Sequence, residues 1–252
     1  FYSAGPKHDD VIEYPEPLRL AEHFTEHRHT VNTVLTLRRR DAVWYEWNDV
    51  HHTEVSDESL RASIYQHLDT VWTPKRDKNG EIEKDENDKN KLVKLRVTSH
   101  IVNEVENALP ACGTLVKQTP PCWIGDTDRD ARDLVPCKNL ILNARTRETF
   151  PLTPKFFCPW GLPFAYNPHA PQPQNWLRFL HDDLWSNDSD AVDTLQEFMG
   201  LSLSANTRFQ KILLVPGPKR GGKGTIAGVW SAMLGSVNVA APTLAGLATN
   251  FG

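Results

Sequence analysis

The chain has 252 residues, 39% of them hydrophobic and 24% charged, and a formal net charge of −4 at pH 7. That is enough apolar chain for one large domain or two small ones. Its mild acidity excludes a surface coated in basic residues, and no run approaches the roughly 18 apolar residues of a membrane-spanning helix.

Pro15 and Pro17 introduce a predicted helix over 18–29, with Leu20, Ala21 and Phe24 at helical spacing. From Val34 to Val55, Leu35, Leu37, Val43, Tyr45 and Trp47 alternate with polar residues and Asn48-Asp49 breaks the run, which predicts an antiparallel meander. Ser56 is placed to cap a second helix carrying Leu60, Ile64 and Leu68. Residues 75–91, KRDKNGEIEKDENDKNK, mix both charge signs with almost no apolar side chains and read as a solvated loop. A short strand over 92–97 follows, then a helix capped by Thr98 with Val102, Val105 and Leu109 inward. Asn139 to Phe150 has the pattern of a hairpin with its tip near Ala144-Arg145-Thr146.

Residues 151–173 hold seven prolines interleaved with Phe156, Phe157, Trp160, Phe164 and Tyr166. Proline removes backbone donors and disfavours helix and sheet alike, so this segment is expected to be extended, with the aromatics stapling it to a domain surface. Two helices follow, one facing inward through Trp176, Phe179, Leu180 and Leu184, the other through Val192, Leu195 and Phe198, with Gly200 placed to end it. No internal repeat at a fixed period is visible.

Cys112, Cys122, Cys137 and Cys158 form no C-x-x-C pair, so they read as reduced thiols of a cytoplasmic protein rather than metal ligands. His23-Phe-Thr-Glu-His27 fits the H-x-x-E-H pattern of zinc proteases, but without a distal carboxylate partner the two histidines read as solvent-facing neighbours of an apolar stripe. The chain begins at Phe1 with no leader pattern, and is expected to be part of a longer protein.

The chemistry is concentrated near the end. Lys211-Ile-Leu-Leu-Val215 is a short apolar run of the kind expected for a strand buried on both faces. Gly217-Pro218-Lys219-Arg220-Gly221-Gly222-Lys223-Gly224-Thr225 comes next, then a predicted helix with Ile226, Val229, Trp230 and Met233 on one face and Gly235 as its terminator. Strand, glycine-rich loop and helix is the setting of a phosphate-binding loop. Glycines let the backbone curl so that N–H groups point inward, and the helix adds the positive end of its dipole. Lys223 is the expected contact to the β- and γ-phosphates of ATP. The usual order puts Ser or Thr directly after that lysine, where its hydroxyl binds Mg²⁺. Here Gly224 takes that place and Thr225, the candidate Mg²⁺ and phosphate contact, comes one residue later.

In order along the chain, several features resemble the phage/plasmid and poxvirus-type primase–helicases, a superfamily 3 AAA+ group. They are Trp44-Tyr45-Glu46-Trp47-Asn48 and the hairpin Asn139-Leu-Ile-Leu-Asn143 with Thr146 and Glu148, in which Leu140 and Arg147 replace glycines. After them come Phe164-Ala-Tyr-Asn-Pro-His-Ala-Pro171 with Trp176 and Phe179, the loop itself, and residues 238–248. The resemblance implies an α+β accessory or collar domain over 1–165 and a helical lead-in over 166–205. The beginning of an α/β P-loop ATPase domain would occupy 206–252. It also implies a ring-forming, hexameric DNA helicase that acts on single-stranded DNA and uses ATP and Mg²⁺. The residues after Thr225 supply no carboxylate, so this chain alone is expected to bind nucleotide without turnover. Two other functions fit parts of the pattern. A nucleotide kinase shares G-x-x-x-x-G-K-G-T, but places it near the start of its chain, whereas 216 residues precede Gly217 here. A non-catalytic module would assemble a ring or bind a partner without ATP.

Overall fold

The computed structural model describes residues 10–115, 119–126 and 128–243, a mixed α and β arrangement of short helices and small sheets. Contacts divide it into two units, residues 10–47 with 53–115, and residues 48–52 with those from 119 onward.

In the first unit, α1 (Pro17–Arg28) starts on a proline whose fixed φ suits the first helical turn. Its Leu20, Ala21 and Phe24 are buried against α2 (Asp57–Leu68) and α3 (Ser99–Ala108). Ser56 Oγ accepts the amide of Ser59 at 3.2 Å, and Thr98 Oγ1 accepts that of Ile101 at 3.3 Å, so both predicted caps form. Leu60, Ile64 and Leu68 meet Val102, Val105 and Leu109 in the core, each full burial contributing about 1.5–3 kcal/mol. A single turn, α4 (Pro110–Gly113), continues α3. A Cβ on Gly113 would stand 2.9 Å from the Leu37 carbonyl, so the sheet approaches closely there.

The predicted meander is present as β1 (Thr30–Val31), β2 (Val34–Leu35), β3 (Leu37–Arg40), β4 (Val43–Trp47) and β5 (His52–Val55). β1 pairs with β2, and the other three form a sheet in the order β3-β4-β5. Leu37 lies opposite Glu46, so Trp44 shares the Leu37 face and is the β4 side chain that enters the core. Val43, Tyr45 and Trp47 lie on the other face and are only partly buried.

Residues 75–91 are exposed apart from half-buried Ile82 and Glu83, yet they are ordered by a pattern with a spacing of eight. Asp77 Oδ1 accepts the amides of Asn79 and Glu81, and Asp85 Oδ1 accepts those of Asn87 and Lys89. Lys75 N donates to Lys91 O, Lys91 N to Glu83 O and Glu83 N to Lys75 O. Two small turns thus branch from the pair β6 (Trp72–Pro74) and β7 (Leu92–Lys94).

The second unit contains the pair β8 (Cys122–Trp123) and β12 (Phe156–Phe157), and a sheet of β9 (Leu134–Pro136), β10 (Ile141–Asn143) and β11 (Thr149–Phe150) in the order β11-β10-β9. The predicted hairpin is β10–β11, with Ile141 opposite Phe150. Asn143 Oδ1 accepts the amides of Arg145 and Thr146, and Arg147 takes the left-handed conformation (φ 64°) that a glycine would supply. Most of the proline-rich segment is without helix or strand, but Phe156 and Phe157 pair with β8 and are fully buried. No disulfide forms. Burial pushes the Cys137 thiol up to about 11, and raises that of Cys158 further.

Its helices are α5 (Gln174–Arg178), which runs into a π-helical turn at Phe179–Leu184, then α6 (Ser189–Leu201) and α7 (Lys223–Leu234). Leu180, Val192, Leu195, Met199 and Ile226 form their shared core. Met199 rather than Phe198 points inward, and α6 passes through Gly200 to end at Leu201. At the end of α7, Gly235 is the terminator predicted for it (φ 88°).

One sequence expectation is corrected here. Residues 211–215 are not a strand. Ile212 and Leu214 are 94% and 82% exposed, while Leu213 and Val215 pack against the helical core. A strand buried on both faces needs a neighbour along each edge, and no described residue pairs with this segment. The apolar run is therefore an extended lead into the loop with one face covered.

Candidate functional site

The glycine-rich loop is fixed from three sides. Behind it, Ile226 anchors the first turn of α7 in the helical core, and Trp230 Nε1 donates to Ser202 Oγ at 2.7 Å. At the far end of α7, Asn238 Nδ2 bonds the carbonyls of Gly161 and Leu234. Ahead of it, Asn206 Nδ2 donates to Asp133 Oδ1 at 2.8 Å, and Arg145 Nε donates to Asp133 Oδ2 at 3.0 Å. The predicted hairpin tip thereby holds the segment that leads into the loop, beside a cavity of about 460 Å³.

Within the loop, Gly221 N donates to Pro218 O at 3.1 Å, closing a turn with Arg220 at φ 65°. Gly222 then caps α7 from the left-handed region (φ 74°), which suits glycine. A Cβ on Gly222 would come 3.0 Å from Phe179 Cζ and 3.2 Å from Leu184 Cδ1, so this residue has a second reason to lack a side chain. Thr225 N and Ile226 N both donate to Gly222 O, which starts the helix. The amides of Gly222, Lys223 and Gly224 donate to no backbone acceptor among the described residues.

Lys223 folds back over its own loop. Its Nζ donates to Gly217 O and Pro218 O, each at 2.8 Å. The ammonium is therefore held above the turn, at the positive end of α7. Lys219, Arg220 and Thr225 border the same cavity of about 700 Å³. The structure brings the loop residues 219–225 to one cavity, with Gly217 and Pro218 joined to it through Lys223.

Sequence reasoning missed the other side of this cavity. Phe179, Asp183 and Leu184 line it, all from the π-helical turn. Phe179 and Leu184 pack against the helical core, as their spacing predicts, and line the cavity as well, whereas nothing in the sequence marks Asp183. Hydrogen bonds from residue i+5 to residue i widen a turn so that positions four and five apart share a face, and Trp185 N to Leu180 O at 2.9 Å is such a bond. Helical periodicity gives no sign of that change.

The H-x-x-E-H histidines have different surroundings from those expected. His23 and His27 stack with ring centroids 4.0 Å apart, but only His27 faces solvent. His23 Nδ1 lies 2.9 Å from Nε2 of the buried His67. Among the described residues no group of three His, Cys, Asp or Glu side chains is placed to hold a metal ion. No described helix is long and apolar enough to cross a membrane.

The hairpin, the buried aromatic pair and α5 with its π-helical turn all lie within the span matched by the family described as D5 N terminal like, residues 20–185. The chain belongs to this family. D5 N-terminal-like regions form the N-terminal region of phage and poxvirus primase–helicase family proteins, the group that the sequence features resemble. The D5 match takes in the π-helical turn up to Leu184 and stops before the loop at 217–225. A comparison with curated proteins gives no match.

Proposed function

We propose that this chain is the nucleotide-binding part of a primase–helicase, in which a D5 N-terminal-like region leads into a phosphate loop. The observation that carries the reading is the position of Lys223. Its ammonium sits at the N-terminus of α7, held by two loop carbonyls that it can exchange for phosphate oxygens. Family membership supplies the context, since the loop lies C-terminal to the matched span, with α6 between them.

In this reading the amides of Gly222, Lys223 and Gly224 and the dipole of α7 hold the β- and γ-phosphates of ATP. Lys223 neutralises charge on them, and Lys219 and Arg220 raise the local potential. Thr225 lies in the first turn of α7 and contacts a phosphate oxygen or bound Mg²⁺ through its hydroxyl. Bound with the nucleotide, Mg²⁺ would supply charge neutralisation to the triphosphate. The extended run at 211–215 is the opening of the ATPase domain proposed for 206–252, preceded by the collar region 1–165 and the lead-in 166–205. The whole protein assembles as a hexameric ring on single-stranded DNA and couples ATP hydrolysis between subunits to unwinding.

The test is made on the full-length protein. ATP hydrolysis stimulated by single-stranded DNA, together with strand separation, is the expected outcome. Phosphate transfer to a nucleoside monophosphate without DNA stimulation would instead assign the loop to a nucleotide kinase.

A further inference from the structure

We propose that the π-helical turn Phe179–Leu184 is the nucleoside-recognising wall of the loop's cavity. The site then selects a nucleoside triphosphate over a bare polyphosphate. The inference rests on the reading of the loop as a phosphate site, and it adds the part of the ligand that the loop itself does not explain.

The turn and the loop are built against each other. Gly222 has room for a hydrogen only, because Phe179 Cζ and Leu184 Cδ1 occupy the space where a Cβ would reach. The widened turn places Phe179, Asp183 and Leu184 on one face, and that face looks into the cavity of about 700 Å³. Leu180, one residue after Phe179, is fully buried in the helical core and fixes the turn from behind. Trp176 stacks on Phe179 with centroids 5.7 Å apart and an interplanar angle of 28°, which holds that ring in place.

The two walls differ in chemistry. The loop side is cationic through Lys219, Arg220 and Lys223, and is rich in backbone donors. The turn side offers two apolar side chains and one carboxylate, Asp183, which forms no ion pair within 4.0 Å among the described residues. A carboxylate is a poor neighbour for a triphosphate, which it repels. It is a good acceptor for the ribose hydroxyls or the amino group of a base, and the apolar pair suits the sugar and ring faces. A ligand with anions at one end and donors on an aromatic body at the other satisfies both walls at once.

Affinities for Mg-ATP and for inorganic tripolyphosphate with Mg²⁺ are to be measured by calorimetry on this chain. The variants are Asp183→Ala, Phe179→Leu and Lys223→Ala, each checked for folding by circular dichroism. We expect the unaltered chain to prefer ATP. Asp183→Ala should weaken ATP by about tenfold and leave tripolyphosphate unchanged or tighter, because it removes both an acceptor and a repelling charge. Phe179→Leu should also weaken ATP more than tripolyphosphate. An ATP-to-tripolyphosphate ratio unaltered in both turn variants, with Lys223→Ala weakening both ligands, would overturn the wall and leave the phosphate loop standing. If the unaltered chain binds neither ligand, or Lys223→Ala binds both as well as it does, the loop reading fails and the wall falls with it.

Discussion

Gly222 and Gly224 stand two residues apart and differ in what they tolerate. Gly222 has φ 74° and no room beside Phe179, whereas a Cβ on Gly224 would meet nothing within 4 Å. Gly222→Ala is therefore expected to distort the loop, costing at least about 1 kcal/mol in stability and weakening nucleotide binding. Gly224→Ser should fold normally in urea unfolding. It also places a hydroxyl directly after Lys223, the usual Mg²⁺ position, so Mg-ATP affinity should hold or rise. If Gly222→Ala binds Mg-ATP as the parent does, the packing of Phe179 on the loop is not what demands glycine. Most of these loop residues were legible in the sequence, because glycines and a lysine at fixed spacing define backbone and charge together. The need for Gly222 beside Phe179 was not, because it depends on a contact between residues more than forty apart.

At the scale of elements, local chemistry was the most legible. Ser56, Thr98, Pro17 and Gly235 punctuate helices as their side chains dictate. Ser56→Ala should cost about 1 kcal/mol, read as a shift in the urea midpoint, since it strips the acceptor from Ser59 N. Arg147→Gly makes the opposite case. Arg147 sits at φ 64° in the β10–β11 hairpin, so glycine there should stabilise the fold by up to about 1 kcal/mol. A neutral or destabilising result would show that the Arg147 side chain contributes more than its backbone strain costs. Where elements depend on distant partners, the sequence was less informative. The apolar run 211–215 had the composition of a buried strand but lacks neighbours to pair with. The π-helical turn looks like any amphipathic helix, because a single widened turn leaves no mark on residue spacing. The β4 register is fixed by Leu37 facing Glu46, a pairing that alternation alone leaves open.

At the scale of the whole molecule, His67 in the histidine cluster of the first unit ties stability to pH. Burial, followed by the neighbouring His23, His27, Arg28 and His29, lowers the His67 pKa from 6.5 to about 3. The folded state therefore resists a proton that the unfolded chain accepts. Stability is intact above pH 6.5 and falls as pH drops toward 3, by at most about 1.4 kcal/mol per pH unit for one such group. His67→Gln should flatten the dependence of urea stability on pH between 6.5 and 4. An unchanged slope would place the sensitivity elsewhere. The D5 N-terminal-like character of residues 20–185 was legible because an ordered series of motifs spans it. The cavity that joins the π-helical turn to the loop was not, since its two walls come from opposite ends of the helical region.

The account centres on Lys223 as the charge that holds a triphosphate at the start of α7. Binding of Mg-ATP to this chain with Lys223→Ala, measured against the unaltered chain, is the most direct check. An affinity reduced on the order of a hundredfold, with circular dichroism unchanged, is the predicted result. Equal affinity in the two chains would contradict it.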